Sequence, residues 1–210
     1  MRFYPIFLDL RERPVLVVGG GKVAQEKVEK LLEAGALVQV VSPQLSAYLE
    51  ALEEQGIVSY RCGEFVESDL EGKFLVISAT DNKLVNEEVA RLAYKHNLLC
   101  NVVDQPALCN FITPALVTRG HLQIAISTGG DSPSVAQKVK REIAELIGDE
   151  HAELLEIAAA LRVEVQLRFT NYSRRREIMR KFVESEALDL IRAGRIEEAK
   201  QLAQEILLTG

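Results

Sequence analysis

Tryptophan is absent from this chain, aromatic residues make up 6% of it, and cysteine occurs only three times in 210 residues. The cysteines Cys62, Cys100 and Cys109 are an odd number and include no Cys-x-x-Cys pair. A disulfide framework and a thiolate zinc site are therefore not indicated. The three histidines are dispersed, so we expect no metal site of the protein's own.

Long apolar runs are also missing. The longest are of strand length, such as residues 15–18, and residues 1–5 contain no apolar core of signal-peptide length. This pattern excludes a membrane-spanning helix and predicts a soluble, cytoplasmic protein.

An excess of positive charge is likewise absent. Lys and Arg total 25 against 31 acidic residues, which gives a net charge of −6 and a pI near 5.3. We therefore expect no nucleic-acid or membrane partner, and an anionic ligand must meet a local basic patch. With 48% apolar and 27% charged residues the composition is globular.

The first half of the chain alternates strand-like and helix-like segments. Apolar runs predict strands at residues 15–18, 37–41, 57–60, 74–79 and 98–103. Helical spacing separates most of them, at residues 22–34, 45–54 and 82–94. Strands joined by helices of this length form parallel sheets. Residues 1–113 are thus predicted to be an α/β, Rossmann-like doubly wound domain.

The second half has a different pattern. Residues 115–118 and 122–127 predict a β-hairpin, and a helix follows at 134–147 with Ser132 as N-cap and Pro133 at its first position. Residues 150–208 show only helical periodicity, with breaks near 171–173 and at Gly194. We therefore expect a short segment at 114–148 and an all-helical domain at 149–210.

A glycine cluster lies between the first strand and the first helix. Gly19-Gly20-Gly21-Lys22-Val23-Ala24 fits G-x-G-x-x-A in that context. The first glycine of the motif allows a tight turn, the second admits a pyrophosphate, and the small Ala24 allows close helix packing. The alternative is a mere tight turn; dinucleotide binding is the stronger hypothesis because strand, glycines and helix occur in register.

One part of the usual dinucleotide motif is missing. The end of the second strand, Val41-Ser42-Pro43-Gln44, contains neither the acidic residue that grips the ribose nor an arginine in its place. Ser42 can hydrogen-bond the ribose, but this motif alone leaves NAD and NADP both open. Thr80 and Asp81, after the fourth strand, are further candidates for the cofactor site, and a plain helix cap is an equal alternative.

Six motifs in order carry a family resemblance. They are Tyr4-Pro5-Ile6-Phe7, the glycine motif, Ala79-Thr80-Asp81, Asn101-Val102-Val103-Asp104, Phe111-Ile112-Thr113-Pro114 and Ser127-Thr128-Gly129-Gly130-Asp131-Ser132-Pro133. Together they resemble precorrin-2 dehydrogenase, a family that includes the N-terminal half of sirohaem synthase and some sirohydrochlorin ferrochelatases. The similarity runs over essentially the whole chain and implies a protein without the methyltransferase half of the fused enzyme.

The resemblance implies a function in sirohaem or cobalamin biosynthesis. It implies NAD as cofactor, a homodimer with 114–148 as dimerisation segment, and a helical domain that binds the tetrapyrrole precorrin-2 or sirohydrochlorin. Asp104 matches the family's essential aspartate. Cofactor contacts are expected from Gly19, Gly20, Gly21, Lys22, Val23, Ser42, Pro43 and Gln44, with Thr80 and Asp81 as further candidates. Substrate contacts are expected from Ser127, Thr128, Gly129 and Ser132.

The position of Asp104 in the chain also favours a catalytic role, independently of the family resemblance. It follows the fifth strand, at the carboxyl edge where catalytic groups collect in doubly wound folds. A carboxylate there can accept the proton that leaves the macrocycle as a hydride is removed. The residues alone leave a loop-capping aspartate ahead of Pro106 as the alternative. Metal insertion stays open, with Asp104 and, more weakly, His121 as the proton acceptors.

A basic run distinguishes the helical tail. Residues 161–181 contain seven Lys or Arg against two Glu, and Arg174, Arg175 and Arg176 are consecutive. Guanidinium groups suit the carboxylates of a tetrapyrrole. The alternative is a solvated helical face. A different class of function, a non-catalytic NAD-sensing module, shares the glycine turn but needs neither Asp104 nor this basic tail.

Overall fold

A computed structural model describes residues 3–209. Met1, Arg2 and Gly210, which the predicted domains include, lie outside the described residues. The chain divides into two compact units between Thr113 and Pro114. Within the described range, every helix is too short or too polar to cross a membrane.

A five-stranded parallel sheet forms the first unit. The strands are β1 (Pro14–Val18), β2 (Leu37–Ser42), β3 (Ser59–Cys62), β4 (Leu75–Ser78) and β5 (Leu99–Val102), in the order β3-β2-β1-β4-β5. The helices are α1 (Lys22–Glu33), α2 (Ala47–Glu54) and α3 (Lys83–Lys95). This arrangement confirms the predicted Rossmann-like, doubly wound fold.

Helices cover both faces of the sheet, which explains the apolar strands. Val15 and Val17 pack in one core with Val28 of α1. Leu16 and Val18 point to the other face, where the core includes Val89 of α3. A strand buried on both faces must be apolar at every position rather than at alternate ones.

The strand order creates a crevice. The chain runs outward from β1 to β2 and β3, and then returns to the other side of β1 to form β4 and β5. Ligands of open α/β sheets bind at such a reversal, outside the carboxyl ends of the strands. Here that point lies at the ends of β1 and β4.

The second unit begins with the predicted hairpin, β6 (Ala115–Arg119) paired antiparallel with β7 (Leu122–Ile126). Helix α4 (Pro133–Leu146) follows, and the Ser132 hydroxyl accepts the Val135 amide at 3.3 Å as expected of an N-cap. Four further helices are α5 (Glu150–Arg168), α6 (Tyr172–Val183), α7 (Ala187–Arg192) and α8 (Ile196–Thr209). They share a core that includes Leu161, Ile178 and Phe182.

Two local expectations were wrong. Strand β3, predicted at residues 57–60, forms two residues later because buried Val58 packs in the turn that precedes it. The helical tail also has an unpredicted break after Val183. There the Ser185 hydroxyl donates to the Phe182 carbonyl at 2.6 Å, and α7 starts anew at Ala187.

Candidate functional site

A cavity of about 730 Å³ lies at the carboxyl edge of the sheet. Its walls come from the residues that follow β1, β2, β3, β4 and β5. The lining includes every cofactor candidate named from the sequence together with the proposed acid: Gly19, Gly20, Gly21, Lys22, Val23, Ser42, Pro43, Gln44, Thr80, Asp81 and Asp104. The structure therefore brings these residues together around one space.

The three glycines of the turn have different reasons to lack a side chain. Gly19 has a φ of +118°, and a Cβ there would collide with the Ala79 carbonyl. A Cβ on Gly20 would collide with the Gln44 carbonyl. A Cβ on Gly21 would meet nothing within 4 Å in the described structure. Gly19 and Gly20 thus serve the backbone packing, whereas Gly21 faces the open space that a ligand can enter.

Helix α1 begins at this open space. Its N-cap, Gly21, supplies no side chain to the first-turn amides, and that turn contains no acidic residue. The first amides of a helix lack intrahelical acceptors and carry the positive end of the helix dipole. A diphosphate fits this position because it supplies both the acceptor oxygens and the negative charge.

Ser42 is the last residue of β2, where the usual acid is missing. Its side chain is buried, and its hydroxyl accepts the Gln44 amide at 3.4 Å. Its carbonyl oxygen accepts the Tyr60 hydroxyl at 2.9 Å and the Gly63 amide at 3.1 Å. The hydroxyl hydrogen can be donated to a ribose oxygen. The bonds from Tyr60 and Gly63 hold the end of β3 and the loop after it against Ser42.

Sequence reasoning missed an arginine beside this wall. Arg61 of β3 pairs in register with Val41 of β2. Its Nε donates to Oδ1 of Asp69 at 2.6 Å, and its Nη2 lies 2.5 Å from Oδ2 of Asp69 and 2.6 Å from the Glu64 carbonyl oxygen. The bond to Asp69 raises the pKa of Arg61 further above its ordinary value. Only the strand register reveals this neighbour, because Arg61 lies far from Ser42 in the sequence.

The loop after β4 contains Thr80 and Asp81 and leads into the N-cap of α3. Asn82 is the N-cap of α3, and its side chain accepts the Leu84 amide at 3.0 Å. The Thr80 hydroxyl supports that turn by accepting the Asn82 amide at 3.1 Å. A buried residue that the sequence did not single out, Asn86, donates to the Thr80 carbonyl at 3.0 Å. Thr80 and Asp81 therefore lie at the cavity, next to the cap rather than in its place.

Asp104 has an exposed side chain and a backbone φ of +59°. Aspartate tolerates this left-handed conformation better than most residues do. The thiol of Cys109 braces the segment around it, because Sγ accepts the Val102 amide at 3.2 Å and lies 3.3 Å from the Gln105 carbonyl oxygen. Nearby, burial lowers the pKa of Lys27, and the charge of Asp104 partly opposes that effect.

Residues 109–111 also cover the outer edge of β5. Asn110 pairs with Cys100 through both its backbone amide (3.1 Å) and its side-chain oxygen (2.7 Å). Its side-chain nitrogen donates to the Leu98 carbonyl at 2.8 Å. The Asn101 side chain donates to the Phe111 carbonyl at 3.1 Å. The strand that precedes Asp104 is thereby fixed on both of its sides.

The remaining candidates belong to the second unit. Thr128 closes a turn before α4, since its hydroxyl donates to the Ser132 carbonyl at 3.1 Å and accepts the Ser132 amide at 3.2 Å. The Ser127 hydroxyl accepts the Gly129 amide at 3.0 Å, and Gly129 has a φ of +70°. These side chains shape the loop, as the predicted N-cap at Ser132 requires.

Several of the basic side chains in residues 161–181 are already paired with glutamates. Arg174 and Lys181 both pair with Glu177, at 3.1 and 3.3 Å, and they lower its pKa. Arg180 pairs with Glu184, which lies beyond the run, at 2.9 Å. Arg176 is exposed. The Nε of Arg175 is buried and finds no hydrogen-bond partner among residues 3–209, so it is a donor that an anionic ligand can satisfy.

No group of three or more His, Cys, Asp or Glu side chains in the described part of the chain could hold a metal ion. His121, named as a weak proton acceptor, is exposed in the hairpin turn.

The sheet order, the glycine turn and the cavity define a dinucleotide-binding domain of the Rossmann class. The chain belongs to the family of putative NAD(P)-binding domains, whose model matches residues 6–115. Two further models match in order: the sirohaem biosynthesis protein central region at residues 119–146 and the sirohaem synthase dimerisation region at residues 151–207. A nicotinamide dinucleotide is therefore the cofactor, as the sequence predicts.

Curated relatives and one solved structure agree with these matches. The chain is 37% identical over 210 residues to siroheme synthase of Thioalkalivibrio sulfidiphilus and 39% identical over 205 residues to that of Methylococcus capsulatus, and it covers 43% of each relative. The solved structure of SirC, a precorrin-2 dehydrogenase, matches with a TM-score of 0.81 and 27% identity, over 97% of this chain and 100% of that one. The resemblance stated from the motifs is thus confirmed.

Proposed function

We propose that this protein is a precorrin-2 dehydrogenase, which oxidises precorrin-2 to sirohydrochlorin with NAD. The observation that carries the proposal is the single cavity that joins the glycine turn at α1 to Asp104 after β5. The likeness to SirC over the full length of that chain supports it. A sensing module requires no carboxylate at this edge, and the matches do not favour it.

Bound NAD supplies a hydride acceptor, and the residues of this chain do the rest. The first amides of α1 hold the diphosphate at Gly21, while Ser42 receives the adenosine ribose. Gly63, whose amide bonds to the Ser42 carbonyl, would bound the adenosine end of the cavity. This placement leaves the nicotinamide end for the part of the cavity that Asp104 lines.

Asp104 acts on the proton. Oxidation of precorrin-2 to sirohydrochlorin removes two hydrogens, one as a hydride and one as a proton. The carboxylate of Asp104 accepts that proton, and the exposure of its side chain lets the proton pass on to water. The bracing of residues 102–105 by Cys109 holds the carboxylate in place.

The second unit supplies contacts to the carboxylates of the macrocycle. Ser127, Thr128, Gly129 and Ser132 offer hydroxyls and amides ahead of α4, and Arg174, Arg175 and Arg176 offer guanidinium groups. The buried, unsatisfied Nε of Arg175 supports this role. We place the domain boundaries at residues 1–113, 114–148 and 149–210, close to the three family matches.

We further propose that the protein is a homodimer, because residues 151–207 match a dimerisation region. That match lies in the helical domain and not in residues 114–148, where we expected the dimerisation segment and where the central-region model matches instead. Analytical ultracentrifugation tests this directly. Twice the chain mass at micromolar concentration is the expected result, and a monomer there contradicts the assembly.

The activity is tested by anaerobic incubation with precorrin-2 and NAD. We expect the absorbance spectrum of sirohydrochlorin to appear together with that of NADH, in equal amounts. A second reaction, with sirohydrochlorin and Fe²⁺ or Co²⁺ but no NAD, measures metal insertion separately. If precorrin-2 persists with folded protein and bound NAD, the proposed activity is wrong.

A further inference from the structure

One wall of the cavity is backed by the guanidinium group of Arg61, whose Nε and Nη2 are engaged by Asp69 and the Glu64 carbonyl. We propose that Asp69 makes this site select NAD over NADP, by holding Arg61 away from the place where a 2′-phosphate would lie. The inference rests on the proposed cofactor site, and it concerns only the adenosine end of that site.

Arg61 lies close to the adenosine end. Its neighbour in the chain, Cys62, pairs in register with Ser42. A Cβ built on Gly63, which lines the cavity, would lie 3.1 Å from Nη1 of Arg61. The Gly63 amide in turn bonds to the Ser42 carbonyl at 3.1 Å. The Arg61 guanidinium therefore lies directly behind Gly63, next to the residue proposed to contact the ribose.

The guanidinium is nevertheless fixed in another direction. Its Nε and Nη2 form a two-pronged bond to the Asp69 carboxylate, and Nη2 also donates to the Glu64 carbonyl. The Asp69 side chain is only 4% exposed, against 35% for Arg61. Oδ2 of Asp69 further accepts the Val66 amide at 2.8 Å, so the carboxylate is anchored independently of Arg61.

This arrangement accounts for selection without the usual acid. NADP differs from NAD by a phosphate on the 2′-oxygen of the ribose, and an arginine near that oxygen normally receives it. In this site the ribose meets the Ser42 hydroxyl, which suits a free 2′-OH. The charge of Arg61, the arginine behind this wall, is already paired with Asp69, so a 2′-phosphate placed there would not gain the arginine that normally receives it.

Removal of the anchor is therefore expected to change the preference. In Asp69→Asn the amide oxygen can still accept a bond, but the charge that holds Arg61 is gone. We expect the affinity for NADP, relative to NAD, to rise about tenfold, the effect of one charge-assisted hydrogen bond. The affinity for NAD itself should stay the same. Isothermal titration with each dinucleotide measures both values without any tetrapyrrole.

Two comparisons isolate the role of Arg61. Addition of Arg61→Gln to Asp69→Asn should abolish the gain in NADP affinity. Glu88→Gln is the matched control, because it also removes one acid from an arginine pair, with Arg91 on the exposed face of α3 and away from the cavity lining. It should leave the preference unchanged. The gain should also shrink as salt rises, since it is electrostatic.

Asp69→Ser provides a second variant if Asp69→Asn does not fold, because a hydroxyl can still accept the Val66 amide. In the double variant Arg61→Gln/Asp69→Asn the arginine is absent. This variant should show the same preference as the natural protein. An unchanged NADP affinity in a folded single variant that binds NAD overturns the proposal, as does a gain in NADP affinity that persists in the double variant. Neither result bears on whether precorrin-2 is oxidised.

Discussion

The Sγ atom of Cys109 accepts the backbone amide of Val102 at 3.2 Å and lies 3.3 Å from the carbonyl oxygen of the same residue. Val102 is the last residue of β5, and Asp104 follows it by two positions. A buried thiol from beyond the loop thus replaces a strand neighbour at the point where the chain turns toward the cavity.

Cys109→Ala is expected to reduce kcat by more than its loss of folding stability alone would cause. Loss of the thiol leaves the Val102 amide unsatisfied, at a cost of about 1–3 kcal/mol in the free energy of unfolding. A shift of Asp104 by the order of 1 Å can lower kcat by about 10²-fold. The control is Cys100→Ala, which removes a second buried thiol from the same core. Equal kcat values for the two variants would show that Cys109 has no positioning role.

Asp104→Asn is expected to bind NAD normally and to lose turnover by about 10²- to 10⁴-fold, because the amide cannot accept the proton. Asparagine also tolerates the left-handed backbone at this position, so the thermal stability should be unchanged. Steady-state kinetics and a melting curve on the same preparation check both statements. Near-normal turnover would remove Asp104 from the mechanism.

Gly21→Val and Gly20→Val should fail in different ways. At Gly21 the φ of −84° and ψ of −171° suit a branched residue, and the side chain would enter the space assigned to the diphosphate. This variant should fold with an unchanged melting temperature and lose NAD binding. Gly20→Val should unfold at lower temperature, because its Cβ would collide with the Gln44 carbonyl. Retained NAD affinity in Gly21→Val would refute the placement of the diphosphate.

Thiol labelling should separate the cysteines by burial. Cys62 is exposed, while Cys100 and Cys109 are buried. Burial, with a smaller contribution from Cys109, raises the pKa of Cys100 from 9.0 to about 12. At pH 8 we expect one fast-reacting thiol in the folded protein and three after denaturation.

The same shift has a consequence for stability against pH. The folded state keeps the Cys100 proton more tightly than the unfolded state does, so its stabilising contribution is complete below pH 9.0 and declines as the pH rises toward about 12. Chemical denaturation across that range measures the decline. The Cys100→Ala variant should show a smaller one.

Patterns that depend on neighbours in sequence were predictable. The strand β1, the glycine turn and the cap at Ser132 are all defined by residues within a few positions of one another, and the structure has each where the sequence predicts it. Helix periodicity gave α1 and α4 for the same reason.

Features that depend on the register between strands were not predictable. Arg61 and Asp69 meet across a turn that has no apolar pattern, and Arg61 lies beside Val41 only because β3 joins the sheet next to β2. The predicted bounds of β3 were two residues too early, because Ser59-Tyr60-Arg61-Cys62 lacks the apolar run that marks the other strands.

Asn110 gives the outer edge of β5 an additional property. An uncovered edge strand offers its amides and carbonyls to strands of other molecules, which is a route to aggregation. Here the side chain of Asn110 accepts a hydrogen bond from the Cys100 amide and donates one to the Leu98 carbonyl. The backbone amide of Asn110 donates to the Cys100 carbonyl. A single amide side chain therefore acts as a terminator of sheet growth on the side that carries Asp104, because a further strand would find the Cys100 and Leu98 groups of that edge already bonded.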